Sequence, residues 1–271
     1  MDAWALILRT GLYVGLVLTA GSLALRLTLP IVQSRGFSRA LIRQTAVGAV
    51  LLVLSSAGLV WLFLLAIAGG DAALALSPDF LAIALQTPVG QAALFRIGGV
   101  ALIGLAAVTG SRSRWLTLIP ATMVILSFGW EGHSLSYGPR LVSLGLIMAH
   151  VWIVAWWLAV LPPLIAAPQS ERNRMGHLFG RQAALAVPLL LLAGGALLGL
   201  FSGWRLDLTQ AYQQRMAIKL IAVSGILALA AANKLLLTGR PGFLWALRVE
   251  AVFALGILAL TAWLTATGPD M

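Results

Sequence analysis

Long, uninterrupted apolar stretches alternate with short polar connections along the whole chain. A helix needs roughly 20 apolar residues to cross the hydrocarbon core of a bilayer. Strands of a membrane barrel would alternate in polarity instead, which these stretches do not. The pattern therefore predicts an all-α, polytopic membrane protein with eight transmembrane helices, spans 1 to 8. They cover approximately residues 4–30, 45–68, 91–109, 115–135, 141–167, 183–201, 216–237 and 244–267.

Composition indicates that lipid, rather than water, is the main solvent of the chain. Of the 271 residues, 61% are hydrophobic and only 10% are charged, and the mean hydropathy is +0.98. A soluble domain carries about a quarter charged residues, so a cytosolic enzyme, a disordered chain and a secreted scaffold are excluded. The absence of cysteine excludes disulfides and thiolate metal ligands. We expect a single integral membrane domain over residues 1–271.

Lys and Arg cluster in the connections that follow the odd-numbered spans, and these residue types favour the cytoplasmic side. We therefore expect both termini on the periplasmic side of a bacterial inner membrane. The net charge of +10 is then a signal of topology and of contact with anionic lipid heads, and no nucleic-acid partner is expected. The basic residues concerned are Arg35, Arg39, Arg43, Arg112, Arg114, Arg172, Arg174, Arg181, Lys234, Arg240 and Arg248.

Two stretches that lie 138 residues apart indicate an internal duplication. Residues 43–47 (RQTAV) open span 2, and residues 181–185 (RQAAL) open span 6. Arg96 of span 3 matches Lys219 of span 7, and both are expected to anchor their spans at the periplasmic interface. These matches predict two four-helix halves in parallel repeat, about residues 1–135 and 136–271, a layout common among transporters. Chance likeness between helices rich in Leu, Ala and Gly is the alternative.

Two histidines lie in adjacent spans, although polar groups inside a bilayer are costly unless they are paired. His133 is near the periplasmic end of span 4, and His150 lies about ten residues, or roughly 15 Å, into span 5. A short turn joins the two spans, so both imidazoles can line one path from the periplasm. Because neutral imidazole ligates copper, zinc and iron, His133 and His150 are candidate metal ligands. The alternative is a buried imidazole that donates to a backbone carbonyl.

Other side chains near this path offer further metal-binding or pathway groups. Met148 and Met123 carry thioethers that suit Cu(I), although plain packing is the competing role of a methionine. Because Met148 and His150 are two positions apart, they face different sides of the helix. Glu131, at the predicted periplasmic mouth, is either a cation-attracting ligand or a solvated acid. Trp157, seven residues after His150, either walls the path or packs against its neighbours.

Charged and amide side chains also occur near the predicted cytoplasmic ends of spans 7 and 8. Span 7 carries Asn233 and Lys234, and span 8 carries Arg248 and Glu250. Arg248 can extend to the interface. We expect Glu250 to pair with Lys234 or Arg248 as a structural clamp, with a proton or ion relay as the alternative. No P-loop, HExxH or GxSxG motif occurs, and no enzymatic activity is expected.

These residues, in this order and spacing, resemble the CopD family of bacterial copper-handling inner-membrane proteins. The resemblance covers essentially the whole chain and is closest over residues 130–267. One departure is that residues 158–160 (LAV) stand where family members often have a Gly-Gly pair. The motifs that carry the resemblance are residues 132–134 (GHS), His150 with Trp157 at plus seven, residues 179–181 (FGR), residues 212–219, Asn233-Lys234 and residues 248–250 (RVE).

The resemblance implies copper transport across the bacterial inner membrane, with uptake from the periplasm favoured, in copper homeostasis and resistance. It also implies that His133 and His150 are copper ligands and that a small periplasmic copper carrier protein is a partner. Two alternatives stay open at this stage. The same histidines could hold haem in a membrane redox protein, or the chain could be a membrane subunit that docks the carrier and transports nothing.

Overall fold

Helices form the described structure, a computed structural model that covers residues 3–29, 35–109, 115–131, 139–204 and 207–265, and no strand occurs in these ranges. The all-α prediction is therefore confirmed. In chain order the helices are α1 (Ala3–Thr28), α2 (Arg35–Ile67), α3 (Ala72–Ala75), α4 (Pro78–Gln86), α5 (Pro88–Val108), α6 (Trp115–Trp130), α7 (Arg140–Ala166), α8 (Gln169–Ser202), α9 (Ala211–Leu237) and α10 (Phe243–Thr265).

Seven of these helices are long and apolar enough to cross a membrane, namely α1, α2, α5, α7, α8, α9 and α10. Helix α6, where span 4 is predicted, has 16 residues. At 1.5 Å per residue it is about 24 Å long, which is shorter than a hydrocarbon core of about 30 Å. Residues 110–114 and 132–138, on either side of α6, lie outside the described ranges. The chain is thus a multi-pass membrane protein, and eight spans with periplasmic termini stay a prediction.

Several helices depart from regular α geometry at defined places. Helix α1 contains a π segment, Val17–Gly21, and α9 ends in another, Asn233–Leu237. Helix α7 bends at Val160, which separates Arg140–Ala159 from Leu161–Ala166. Two prolines follow that bend, and a proline lacks the amide hydrogen that a helix interior uses. Because π segments are rare and often occur at functional sites, both segments are candidate locations for a functional site.

The first helices of the two predicted halves, α1 and α7, pack directly against each other through the π segment of α1. A Cβ atom at position 21 would collide with the backbone carbonyl of Ala155, so the approach requires glycine there. An apolar cluster continues from this contact into both predicted halves. Its buried members include Val17, Leu25, Phe37, Trp157, Leu164, Met175, Ile226 and Leu258.

Two glutamines from the matching Arg-Gln stretches bind backbone carbonyls in a reciprocal manner. Gln44 of α2 donates from Nε2 to the carbonyl of Ala159 in α7 at 2.8 Å. Gln182 of α8 donates from Nε2 to the carbonyl of Thr28, the last residue of α1, also at 2.8 Å. The Ala159 carbonyl lacks its helical partner because Pro163 has no amide hydrogen. Each glutamine thus reaches into the opposite predicted half, which supports the duplication but leaves it a prediction.

Candidate functional site

Arg96 of α5 is fully buried, with 1% of its side chain exposed. Its Nη1 and Nη2 atoms donate to Oε1 and Oε2 of Glu131 at 3.1 and 2.8 Å. Its Nε atom donates to Oγ of Ser127 at 3.0 Å, and its Cζ lies 4.7 Å from the ring centre of Phe128. Arg96 is therefore enclosed in the bundle and paired with side chains at the end of α6, and its depth relative to the membrane interface stays a prediction.

The same pairing defines the environment of Glu131. Both carboxylate oxygens of Glu131 accept hydrogen bonds from Arg96, and such two-pronged guanidinium–carboxylate pairs are among the strongest in proteins. A metal ion at Glu131 would have to displace this buried guanidinium. The geometry therefore favours a structural clamp between α5 and α6 over a metal ligand or a fully solvated acid at this position.

The two candidate thioethers pack against other helices of the first predicted half. Met148 of α7 packs against a buried apolar cluster that includes Leu12, Leu52 and Val124, contributed by α1, α2 and α6. The Cε atom of Met123 lies 3.3 Å from the position that a Cβ would take at Gly98 of α5. These contacts favour the packing role for both methionines.

His150 of α7 faces α8 and is half-buried. Its Nδ1 atom is buried and has no hydrogen-bond partner in the described part of the chain. The backbone of Leu190 interacts electrostatically with the ring but forms no well-aligned hydrogen bond with Nδ1. Gly194 lies one helical turn further along the same face of α8. A Cβ at position 194 would be 3.1 Å from Cε1 and 3.2 Å from Nδ1 of the imidazole. Gly194 therefore creates the space in which the ring fits.

Lys219 of α9 is the charged side chain whose ammonium group interacts electrostatically with this imidazole. It lies eight residues after the first residue of α9, Ala211, or about 12 Å along the helix. Sequence analysis predicts it at the membrane edge because the apolar stretch begins only at 216. The helix begins earlier, at Ala211, and Lys219 is half-buried and forms no ion pair with any described residue. Its depth relative to the membrane edge stays a prediction.

The second predicted imidazole, His133, lies outside the described residues. Its convergence with His150 on one ion therefore stays a prediction. Within the described ranges, no three His, Cys, Asp or Glu side chains come together as a metal site. His150 is thus the described residue around which a metal site is argued, with the remaining ligands still to be identified.

A second buried polar group lies where α7, α9 and α10 meet. Glu250 of α10 accepts a hydrogen bond at Oε2 from Nδ2 of Asn233 at 2.7 Å. The indole of Trp157 lies within hydrogen-bonding reach of Glu250. Asn233 is the first residue of the π segment of α9, and its Oδ1 is buried without a partner. Trp157 therefore does more than pack, because its polar edge joins α7 to the carboxyl group on α10.

The expected ion pair of Glu250 with Lys234 or Arg248 is wrong for the described structure. Lys234 and Arg248 are exposed, and neither forms a salt bridge with Glu250. The aliphatic part of Lys234 instead packs beside Gly180 of α8, with Cγ 3.6 Å from the position of a Cβ there. Long side chains near helix ends extend their charges to the interface. The carboxyl group of Glu250 therefore lies in the apolar interior without either Lys234 or Arg248 as a counter-charge.

The fold and these interior polar groups define a class, the multi-pass helical membrane proteins with ionisable side chains inside the bundle. The family model for the N-terminal domain of copper resistance protein D-like proteins matches residues 1–138, about half of the chain. The chain therefore belongs to the copper resistance protein D-like family, and family membership indicates a role in copper resistance. No curated protein and no solved structure matches it significantly.

The comparison confirms the family that the sequence motifs predict. The matched residues form the N-terminal part of the chain, whereas the motifs that resemble the family most closely are in residues 130–267. His133 falls inside the matched range, while His150, Lys219 and Glu250 fall outside it. The resemblance of the C-terminal part therefore rests on its own motifs.

Proposed function

We propose that the chain transports copper ions across the bacterial inner membrane, with uptake from the periplasm, and that His150 is a copper ligand on the path. One observation carries this proposal. The Nδ1 atom of His150 is buried inside the bundle without a hydrogen-bond partner in the described ranges. A buried nitrogen that lacks a partner is costly, and a metal ion that accepts its lone pair removes that cost.

Family membership supports copper as the ion. Imidazole alone does not discriminate between copper, zinc and iron, but the copper resistance protein D-like family is named for copper. The absence of cysteine means that nitrogen and thioether groups are the soft or intermediate ligands that the chain can offer. His133 is the proposed second ligand, and a periplasmic copper carrier protein is the proposed donor of the ion.

Lys219 gives the proposed site a means of release. A transport site must bind an ion strongly enough to take it up and weakly enough to let it go. An ammonium group near His150 opposes the charge of a copper ion and so weakens its binding. In this proposal the ion is held briefly rather than stored.

The contact between the two predicted halves supports a path that alternates between the two sides of the membrane. In transporters with internal repeats, the site lies near the midplane between repeats that move against each other. His150 lies on α7, the helix that packs against α1 through Gly21. A rigid-body movement at this contact would move His150 relative to the first half.

Copper uptake by liposomes that contain the purified protein tests the proposal. We expect His150→Ala to abolish uptake. His177→Ala is the matched control, because His177 is an exposed histidine on α8, and it should leave uptake unchanged. Full uptake by folded His150→Ala protein would contradict the proposal.

The same preparations also test the two alternatives. Bound iron with the absorption spectrum of haem, lost in His150→Ala, would indicate the membrane redox protein. If the wild-type protein binds a copper carrier protein but takes up no copper by itself, it would be a docking subunit.

A further inference from the structure

Glu250 is a carboxyl group enclosed in apolar surroundings that the proposed copper site does not use. It is 4% exposed and is surrounded by members of the main buried apolar cluster, such as Leu247 and Ala254 on its own helix. It lies seven residues after the first residue of α10, Phe243, or about 10 Å along the helix. The group is therefore well inside the span and not at its edge.

The polar partners of Glu250 are neutral. Asn233 donates to Oε2 at 2.7 Å, and the Trp157 indole lies within hydrogen-bonding reach of the carboxyl group. Asn233 is also 4% exposed, and its Oδ1 is a buried acceptor without a partner among the described residues. The pocket thus contains an acid, an unused acceptor beside it and no counter-charge.

No charged group on the packed helices neutralises Glu250. It forms no salt bridge within the described ranges, where the Arg96–Glu131 pair is the ion pair that occurs. The bent end of α7, Leu161–Ala166, carries no titratable residue. The titratable residues on its own helix and on the other helices in contact with it are Arg248 on α10, Arg9, Tyr13 and Arg26 on α1, Arg140 and His150 on α7, Tyr212, Arg215, Lys219 and Lys234 on α9, and Glu171, Arg172, Arg174, His177 and Arg181 on α8.

We propose that Glu250 is an intramembrane proton-binding site, with Asn233 and Trp157 as its pocket. An ionised carboxylate that is buried without a counter-charge is far more costly than a neutral acid. A proton added to the carboxylate of Glu250 converts it to a carboxylic acid, whose O–H can be donated to Oδ1 of Asn233. The acid and the amide then form two complementary hydrogen bonds, and the unused acceptor is satisfied.

The position of Asn233 couples this proton to the backbone. Asn233 begins the π segment Asn233–Leu237, which ends α9. A π segment is a local deviation from the regular helical hydrogen-bond pattern. Loss of the proton leaves a carboxylate that repels Oδ1 of Asn233, so the amide must turn or the segment must move. The proton site is proposed whether or not the chain moves copper.

Infrared spectroscopy of the full-length protein in lipid tests this proposal, because a protonated carboxylic acid has a carbonyl band that a carboxylate lacks. We expect such a band at neutral pH and its complete loss in Glu250→Gln. Asp79→Asn is the matched control, because Asp79 is an exposed acid on α4, and the band should persist in it. Absence of the band from the wild-type protein, or its persistence in Glu250→Gln, would overturn the proposal.

A second variant keeps the acid and removes one hydrogen-bond partner. Trp157→Phe retains an aromatic ring but lacks the indole donor, so the band should remain and shift in frequency. An unshifted band in Trp157→Phe would place the observed acid outside this pocket and overturn the proposal. This variant provides the test if Glu250→Gln does not insert into the membrane.

Discussion

The two predicted halves each carry a cationic side chain at the same helical position, but the partners of the two side chains differ. Arg96 lies eight residues after the start of α5, and Lys219 lies eight residues after the start of α9. Arg96 is buried with an acid, a hydroxyl and an aromatic ring around it. Lys219 is half-buried beside His150 and has no ion pair among the described residues. The first cation stabilises its half, whereas the second leaves a charge available to act on a ligand.

The difference indicates where function should be sought. A polar group with all its partners in place holds helices together, and a ligand gains little by displacing them. A buried polar atom without a partner has unused bonding capacity. His150 Nδ1 and Asn233 Oδ1 are of this kind in the second predicted half, and Thr19 Oγ1, in the π segment of α1, is of this kind in the first. We therefore expect loss of the Arg96–Glu131 pair to reduce stability, and substitutions at His150 and Glu250 to change ion or proton binding.

The largest effect on stability is expected from Glu131→Gln. This substitution leaves the Arg96 guanidinium buried without its counter-charge, and breaking a buried pair costs about 3–5 kcal/mol. Lys219→Leu, at the corresponding position of the other half, should not destabilise the protein, because no pair is lost. Denaturant unfolding in detergent compares the two variants. Equal losses of stability would show that the two cations play the same role.

A smaller loss of stability is expected from Gln44→Leu. The Ala159 carbonyl would then be buried without a donor, at a cost of about 1–3 kcal/mol. Gln182→Leu should cost less, because its bond to Thr28 is more exposed. Unfolding free energies of both variants check the order. A larger loss for Gln182→Leu would contradict the burial argument.

Gly194→Leu should reduce copper binding without large loss of stability. The new side chain would occupy the space of the His150 ring, whose Cε1 is 3.1 Å from the Cβ position. We expect copper affinity to fall about tenfold, equivalent to roughly 1.4 kcal/mol. Gly195→Leu is the matched control, since no atom lies within 4 Å of a Cβ there. Equal copper affinities of the Gly194→Leu and Gly195→Leu proteins would contradict a role of His150 in copper binding.

The smallest effect is expected from Lys219→Gln. Removal of the positive charge beside His150 should raise copper affinity by up to about 1 kcal/mol, or about fivefold. Lys234→Gln, which removes an exposed lysine of the same helix, should leave affinity unchanged. Equilibrium copper titrations measure both. A lower affinity in Lys219→Gln would mean that Lys219 helps to hold the ion.

Sequence patterns predict the helices well and their polar contacts poorly. Apolar length alone is sufficient to place the candidate spans. Helices α2 and α8, however, begin at Arg35 and Gln169, well before the apolar stretches that start at about 45 and 183, because each helix continues into the polar connection. The short turn and the seven-residue spacing place His150 and Trp157 on one helix face. No spacing rule reveals that Gln44 and Gln182 bind across the halves, because those contacts depend on tertiary packing.

The corrections share a physical cause. Proximity along the chain predicts Lys234 or Arg248 as the partner of Glu250 and gives no partner for Arg96. Arg96 instead pairs with Glu131 at the end of the next long helix, and Glu250 binds Asn233 on a π segment that sequence patterns do not predict. The Gly-Gly pair at 194–195 was the available signal for the space around His150, because small residues in a span permit close approach.

X-ray absorption at the copper edge tests the central claim most directly, namely that His150 in the second half holds the ion. The purified wild-type protein loaded with copper should show imidazole scattering, and His150→Ala should show weaker imidazole scattering or no bound copper. Identical spectra and copper content for the two proteins would contradict the account, because the unpartnered nitrogen of His150 would then play no part in copper binding.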